Sequence, residues 1–224
     1  MTNSAVLISN LSISHQKLLI LKNINLDVQE GQWIEIIGQN NSGKSSLLRA
    51  LFGYKSELQG TIKVLGITLN PMSEEFQLHK RKIGFLSNDF PLISGKTLRA
   101  NLSLALSATG NSTDLESDHW CREVLMQLNL DKKLTKLAET LSSSEKIFSQ
   151  MARALISSPT LLLIDDILCG LDDQNKERAY NLLKQFYDKE KCSVISVLKS
   201  VSEKSPIGKK VFVIEKSAFR PVEI

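Results

Sequence analysis

Gly38-Gln39-Asn40-Asn41-Ser42-Gly43-Lys44-Ser45 decides how the rest of the chain reads. The octet fits G-x-x-x-x-G-K-[ST], a phosphate-binding loop. Gly38 and Gly43 let the backbone turn tightly and aim its N–H groups at phosphate oxygens. Lys44 is expected to reach the β- and γ-phosphates as a point charge, and Ser45 to offer its hydroxyl to Mg²⁺. Asn40, Asn41, Ser42 and Ser46 complete the expected nucleotide-binding set on this loop. The helix that follows adds the positive end of its dipole.

The flanks supply the context that the motif requires. Trp33-Ile34-Glu35-Ile36-Ile37 is short, apolar and β-branched, which predicts a strand. Ser46-Leu47-Leu48-Arg49-Ala50-Leu51-Phe52 predicts a helix, with Gly53 as its C-terminal stop. Strand, glycine loop and helix together imply binding of a nucleoside triphosphate.

The chain has 224 residues, enough for one sizeable α/β domain. A net charge of +4 is mildly basic and too weak to argue for nucleic acid; basic surface near an anionic membrane stays open. The three cysteines, Cys121, Cys169 and Cys192, are far apart and show no metal spacing, which fits a reducing compartment. The N-terminal residues lack a basic stretch followed by an apolar one, so no signal peptide is expected. No apolar run approaches the ~20 residues of a membrane span. The expectation is a cytosolic protein that a partner must hold if it works at a membrane.

Along the chain, Val6-Leu7-Ile8, Leu18-Leu19-Ile20-Leu21 and Ile24-Asn25-Leu26-Asp27-Val28 predict antiparallel strands with short connections, and Glu30-Gly31 a turn. Gly60 to Gly66 predicts a strand bounded by glycines, and Lys82 to Leu86 the next. From about Leu92 to Leu155 leucines recur at helical spacing, which predicts a helical insertion, with a polar loop over Ala108 to Asp118. Thr160-Leu161-Leu162-Leu163-Ile164-Asp165-Asp166 predicts a buried parallel strand that ends in acid. Asp165 stands at its C-terminal end, where open α/β sheets bind ligands, and can hold Mg²⁺ through water. A helix over Lys176 to Lys189 and strands over Cys192 to Leu198 and Val211 to Ile214 complete the reading.

This order of pieces resembles the nucleotide-binding subunit of ABC transporters. Asn10 to His15, Leu21 to Leu26, the loop, Gly60-Thr61-Ile62, Ala152-Arg153-Ala154-Leu155 and Gly170-Leu171-Asp172 fall where that family places them. The resemblance implies one domain over residues 1–224: an α/β core of the P-loop NTPase type, an N-terminal antiparallel β subdomain, and a helical subdomain over about 92–155. It implies ATP and Mg²⁺ as ligands, and a head-to-tail homodimer in which each loop meets the signature loop of the other chain. It also implies a peripheral position on the cytoplasmic face of the inner membrane, and no nucleic acid.

The departures from the family pattern are informative. The signature Leu-Ser-Gly-Gly-Gln is replaced by Leu141-Ser142-Ser143-Ser144-Glu145. Ser142 and Ser144 remain candidates for the partner's phosphate, while Glu145 puts a negative charge where an amide is usual. The glutamate that polarises water in the family is Asp166, one methylene shorter. The switch histidine falls on Lys199, which can bond phosphate but cannot relay a proton as histidine does. The Q-loop glutamine, which senses Mg²⁺, falls on Asn88, and the adenine-stacking aromatic on His15. Two readings stand: a divergent working ATPase, or a chain that binds ATP, dimerises and turns over very slowly.

Leu78 to Phe90 and Leu92 to Leu106 resemble the cell-division ATP-binding protein FtsE, and lipoprotein-releasing ATPases share much of the pattern. The resemblance implies a membrane partner, either of the FtsX type or a transporter permease. Phe90, Pro91, Leu92 and Ile93 are candidates for the groove that such a partner enters, or else ordinary core. The competing functions are an ATPase subunit of a membrane complex, an ATP-gated scaffold, and a soluble ABC protein on DNA or the ribosome. The last usually carries two ATPase halves or a coiled-coil insert, and neither is present.

Overall fold

The computed structural model describes residues 3–54, 57–108, 119–202 and 209–222. It opens with two long strands, β1 (Ser4–His15) and β2 (Leu18–Gln29), joined by Gln16 and Lys17, both left-handed. The sequence breaks that suggested several short strands are irregularities within this one hairpin. Its register shifts between Ile8 and Leu11, where Asn10 takes φ 52° and its N–H bonds the Asn25 side chain. β4 (Glu57–Val64) pairs with the other edge of β1, and β5 (Ile67–Thr68) with β4. Among the described residues these strands form a 4-stranded antiparallel sheet in the order β2-β1-β4-β5.

The second sheet has 6 strands among the described residues, in the order β10-β9-β3-β8-β7-β6. They are β3 (Trp33–Ile37), β6 (Ile83–Leu86), β7 (Leu161–Asp165), β8 (Ser193–Leu198), β9 (Lys210–Glu215) and β10 (Ala218–Val222). All neighbours run parallel except β10 against β9. The apolar runs of β3, β7 and β8 are buried on both faces, as parallel strands covered from two sides must be. Alternation then sorts them between two cores. Ile34, Ile36, Leu161, Leu163, Ile195 and Val197 pack with α1 (Lys44–Leu51) and the antiparallel sheet. Trp33, Leu162, Ile164 and Val194 pack with the helices on the opposite face.

Those helices are α3 (Leu98–Ala108), α4 (His119–Gln127) and α5 (Ser143–Leu155), which lie between β6 and β7, and α6 (Asp173–Glu190). The apolar residues read as helical are buried: Leu98, Leu102, Leu106, Val124, Leu125 and Leu128. The polar loop expected after Ala108 lies outside the described residues.

Two strands and one α-helix were not foreseen. β5 is too short to show a period, and β10 contains Pro221, which suits an edge strand. α2 (Glu74–Lys80) is short and polar, with Phe76 its one buried residue, but Ser73 caps it by accepting the Phe76 N–H at 3.2 Å.

Gly60 was read as a strand boundary; it lies inside β4, opposite the β1 irregularity. Its φ is 97°, and a Cβ there would stand 2.4 Å from the Asn10 carbonyl oxygen. Gly60→Val should therefore cost about 2 kcal/mol or more, through left-handed strain and overpacking. The check is a lower urea midpoint with unchanged slope; an unmoved midpoint would show that the β1–β4 contact is pliable.

Candidate functional site

The register of the parallel sheet brings four chain segments to one edge. Ile37 pairs with Leu198, Asp165 with Val197, and Leu86 with Ile164. Gly38, Lys199, Asp166 and the segment Ser87-Asn88 therefore emerge together at the C-terminal ends of their strands, the edge at which open α/β sheets bind ligands.

The loop is confined from two sides. A Cβ at Gly38 would lie 2.6 Å from the Ile214 carbonyl oxygen of β9, and one at Gly43 would lie 2.7 Å from Leu21 Cδ2 of β2. Gly43, at φ 99°, precedes α1 without any side-chain cap, so the first N–H groups of that helix are left to a ligand. Asn40 and Asn41 are exposed, Asn41 in the left-handed region, and Ser42 is half-buried.

Lys44 is buried, and its Nζ donates to the Gly38 and Gln39 carbonyl oxygens at 2.6 and 2.7 Å. Burial lowers its pKa, and the nearby Asp166 and Asp165 work against that shift. The Ser45 hydroxyl donates to Asp165 Oδ1 at 2.8 Å, joining the loop to the end of β7. Burial raises the Asp165 pKa, opposed by this hydrogen bond. Asp166 follows in the left-handed region, φ 44°, with its N–H on the Val197 carbonyl oxygen at 3.1 Å. Its pKa is also raised by burial, against the pull of Lys199 and Lys44. A buried ammonium, a hydroxyl and a carboxylate thus converge on one loop. The hydroxyl and carboxylate offer hard oxygens, the donor chemistry that suits Mg²⁺.

His15 ends β1 and lines a cavity of about 290 Å³ together with Ile20, Ser46, Arg49 and Tyr54. Ile20, Ser46 and Arg49 also line the cavity of about 330 Å³ around the loop, so the two spaces adjoin. Tyr54 was missed in the sequence; its position directly after the expected helix stop was the available signal. Arg49 was missed as well. Its guanidinium makes a bidentate contact with Asp89, at 2.5 and 3.0 Å, tying α1 to the segment after β6. Asn88 is exposed in the turn beside it.

Ser142 and Ser144 are not among the residues lining the loop's own cavity. They stand at the start of α5, where Ser142 is the cap and accepts the Glu145 N–H at 3.3 Å. The Glu145 carboxylate accepts the Ser142 N–H at 2.9 Å and pairs with Lys133 at 3.0 Å, contacts that lower its pKa. Its charge is therefore met by the start of its own helix and by Lys133. The S-x-x-E spacing of a capping box was visible in the sequence. Ser143 and Ser144 occupy the first helical turn, and neither has a positive φ, so this backbone does not require glycine.

A glycine loop, a buried lysine and a serine–aspartate bond at the edge of a parallel sheet define a P-loop nucleotide-binding fold. The chain belongs to the ABC transporter family, whose model matches residues 21–168. The methionine import ATP-binding protein MetN 1 of Acinetobacter baylyi is 31% identical over 201 residues, 89% of this chain and 56% of that protein. The lipoprotein-releasing system ATP-binding protein LolD of Francisella tularensis is 28% identical over 173 residues, 76% of this chain and 75% of that protein. The chain spans a little over half the length of the MetN relatives it matches. In fold it matches the ATP-binding cassette MJ0796, solved as a dimer bound to ADP and Pi, with a TM-score of 0.85 at 24% identity, covering 98% of this chain and 99% of that one.

The raised pKa of Asp165 fixes the sign of a pH effect. Its folded value lies above its unfolded one, so ionisation costs stability above the folded pKa, and the cost vanishes as pH falls below the ordinary aspartate value of ~3.9. Asp165→Asn keeps an acceptor for Ser45 and should raise the melting temperature of the nucleotide-free protein at pH 7, with the gain lost near pH ~3.5. Thermal melts at the two pH values decide it; a lower melting temperature at pH 7 would contradict the burial argument.

Proposed function

We propose that this chain is the ATP-binding subunit of a membrane ABC complex, and that it uses ATP binding and slow hydrolysis to drive conformational change in a membrane partner. The observation that carries the reading is the convergence of Lys44, Ser45 and Asp165 on the loop after β3. Lys44 leaves the carbonyls it now holds and bonds phosphate oxygens instead. The backbone N–H groups of Gly43 to Ser46 receive the phosphates, and His15 with Tyr54 receives the base. The Ser45 hydroxyl and Asp165 would hold Mg²⁺, with Asn88 as its sensor, and the bound ion would supply positive charge to the phosphates.

Asp166 acts as the base toward water and Lys199 as the cation toward the terminal phosphate. Asp166 is one methylene shorter than the family's glutamate, and a displacement of ~1 Å can cost ~10²-fold in rate. Hydrolysis is therefore slow. Ser142 and Ser144 act in trans: the chain dimerises head to tail on ATP, and α5 of each protomer presents its first turn to the other's loop.

A cavity of about 470 Å³ supports docking of the partner. It lies between β6 and the helices α3 and α5, and is lined by Phe90, Pro91 and Ile93 with Phe52, Phe85 and Arg153. Arg153 donates to the Pro91 carbonyl oxygen at 2.9 Å and to that of Phe90. Leu92 is instead buried with Ala138 and Leu141, so it shapes the groove without lining it. The partner is an integral membrane protein that places the chain peripherally on the cytoplasmic face. The FtsE-like stretch Leu78 to Phe90 favours an FtsX-type partner and a role in cell division. Likeness to LolD favours a lipoprotein-releasing permease, the second reading.

Lys44→Ala should abolish ATP binding, measured by titration with a fluorescent ATP analogue; unchanged affinity would remove the loop from the site. Steady-state Mg²⁺-ATP hydrolysis by the purified chain should exceed that of Lys44→Ala. Asp166→Glu should raise turnover about 10-fold or more if reach is what limits the base. No gain would place the limit at Lys199 or at the Ser142–Glu145 turn.

A further inference from the structure

Glu35 stands in the middle of β3, an interior strand of the parallel sheet, and is wholly buried. Strand pairing makes no demand for a carboxylate there, between Ile34 and Ile36. A charge removed from water persists only with partners that compensate it. Two partners of Glu35 come from the chain beyond β8. Its Oε2 accepts the Ser202 N–H at 3.2 Å and stands 3.7 Å from Lys209 Nζ, which is 11% exposed. Lys209 in turn donates to the Ser202 carbonyl oxygen. One buried ion pair thus holds both backbone polar groups of Ser202.

Ser202 lies just beyond Lys199, and residues 199–202 belong to no helix or strand. No sheet ladder fixes them. Lys199, Ser200, Val201 and Ser202 form one wall of a cavity of about 440 Å³ that Asp166 also lines. We propose that Glu35 is a positioning residue, which through Ser202 and Lys209 fixes the segment that carries Lys199 opposite Asp166. This rests on the reading of Asp166 and Lys199 as the hydrolytic pair. A carboxylate suits the task because its contacts are directional, whereas an apolar residue at position 35 would fill the same volume and remove both the acceptor of the Ser202 N–H and the counter-charge of Lys209.

The test compares wild type, Glu35→Gln and Lys209→Arg by amide hydrogen exchange over residues 198–202 and by steady-state ATP hydrolysis. Glu35→Gln should speed exchange in that segment ~10-fold or more while the other strands stay protected. It should lower kcat ~10-fold with KM within ~3-fold of wild type, because the phosphate loop is untouched and only the geometry of Lys199 is loosened. Lys209→Arg keeps the cation and should keep the protection. Unchanged exchange over 198–202 in folded Glu35→Gln overturns the proposal, as does a lower melting temperature with unchanged kcat. If wild type shows no turnover, the hydrolytic reading fails by itself, and the exchange result alone decides the anchor. If Glu35→Gln does not fold, Lys209→Gln breaks the same ion pair from its outer end and is scored in the same way.

Discussion

A hydrogen bond between Ser45 and Asp165, residues 120 apart in sequence, is the contact on which the site depends. It can form only if β3 and β7 end at the same edge of one sheet, and they do so because β8 pairs in parallel with both. A slip of one residue in either pairing would turn the buried side chains of β7 or β8 to the other core. Register is therefore fixed by the two hydrophobic cores, and the site inherits its geometry from them. The cores hold the loop as well. Leu21, buried in β2, presses on Gly43, and the β9 backbone presses on Gly38. The antiparallel sheet is thus part of the machinery that shapes the phosphate loop.

Burial does electrostatic work at this edge. Lys44, Asp165 and Asp166 are each shifted toward the neutral form by loss of water; the two carboxylates offset the shift of Lys44 and Lys44 offsets theirs, while the charge of Asp165 adds to the shift of Asp166. Such a cluster is held in place by packing and waits for compensation. A polyphosphate would supply negative charge to Lys44, and a divalent cation positive charge to Asp165. The buried charges carry a desolvation cost that such ligands would relieve, which would link binding to stability. Glu35 and Lys209 are buried charges of a different kind, because each already has its partner.

Contacts also run from the loop toward the helical segment. Arg49 lines the two cavities beside the loop, and Asp89, its ion-pair partner, lines the groove between β6 and the helical segment. The pair therefore spans the two regions. α5 contributes at both ends as well: its first turn carries Ser142 and the capping box, and Arg153 near its other end holds the carbonyls of Phe90 and Pro91. One rigid helix connects the signature turn with the groove.

The loop Gly38–Ser45 and the run Leu161–Asp165 were legible in the sequence because their chemistry is local. Glycine spacing, a continuous apolar strand and an acid at its end need no distant partner to be recognised. The family resemblance extended that reading to His15, Asn88, Ser142, Asp166 and Lys199, each placed by its neighbours in the chain. What pairs with what was decided only in three dimensions. Glu145 read as a free negative charge, although the capping-box spacing was present, because its second partner Lys133 lies outside that short pattern. Arg49 with Asp89, and Glu35 with Ser202 and Lys209, could not be read at all. A strand pattern records which face a residue occupies, but a salt bridge between distant segments depends on the path the chain takes between them. Local covalent neighbours fix conformation and motif; tertiary packing alone sets the dielectric and the partner that each charge meets.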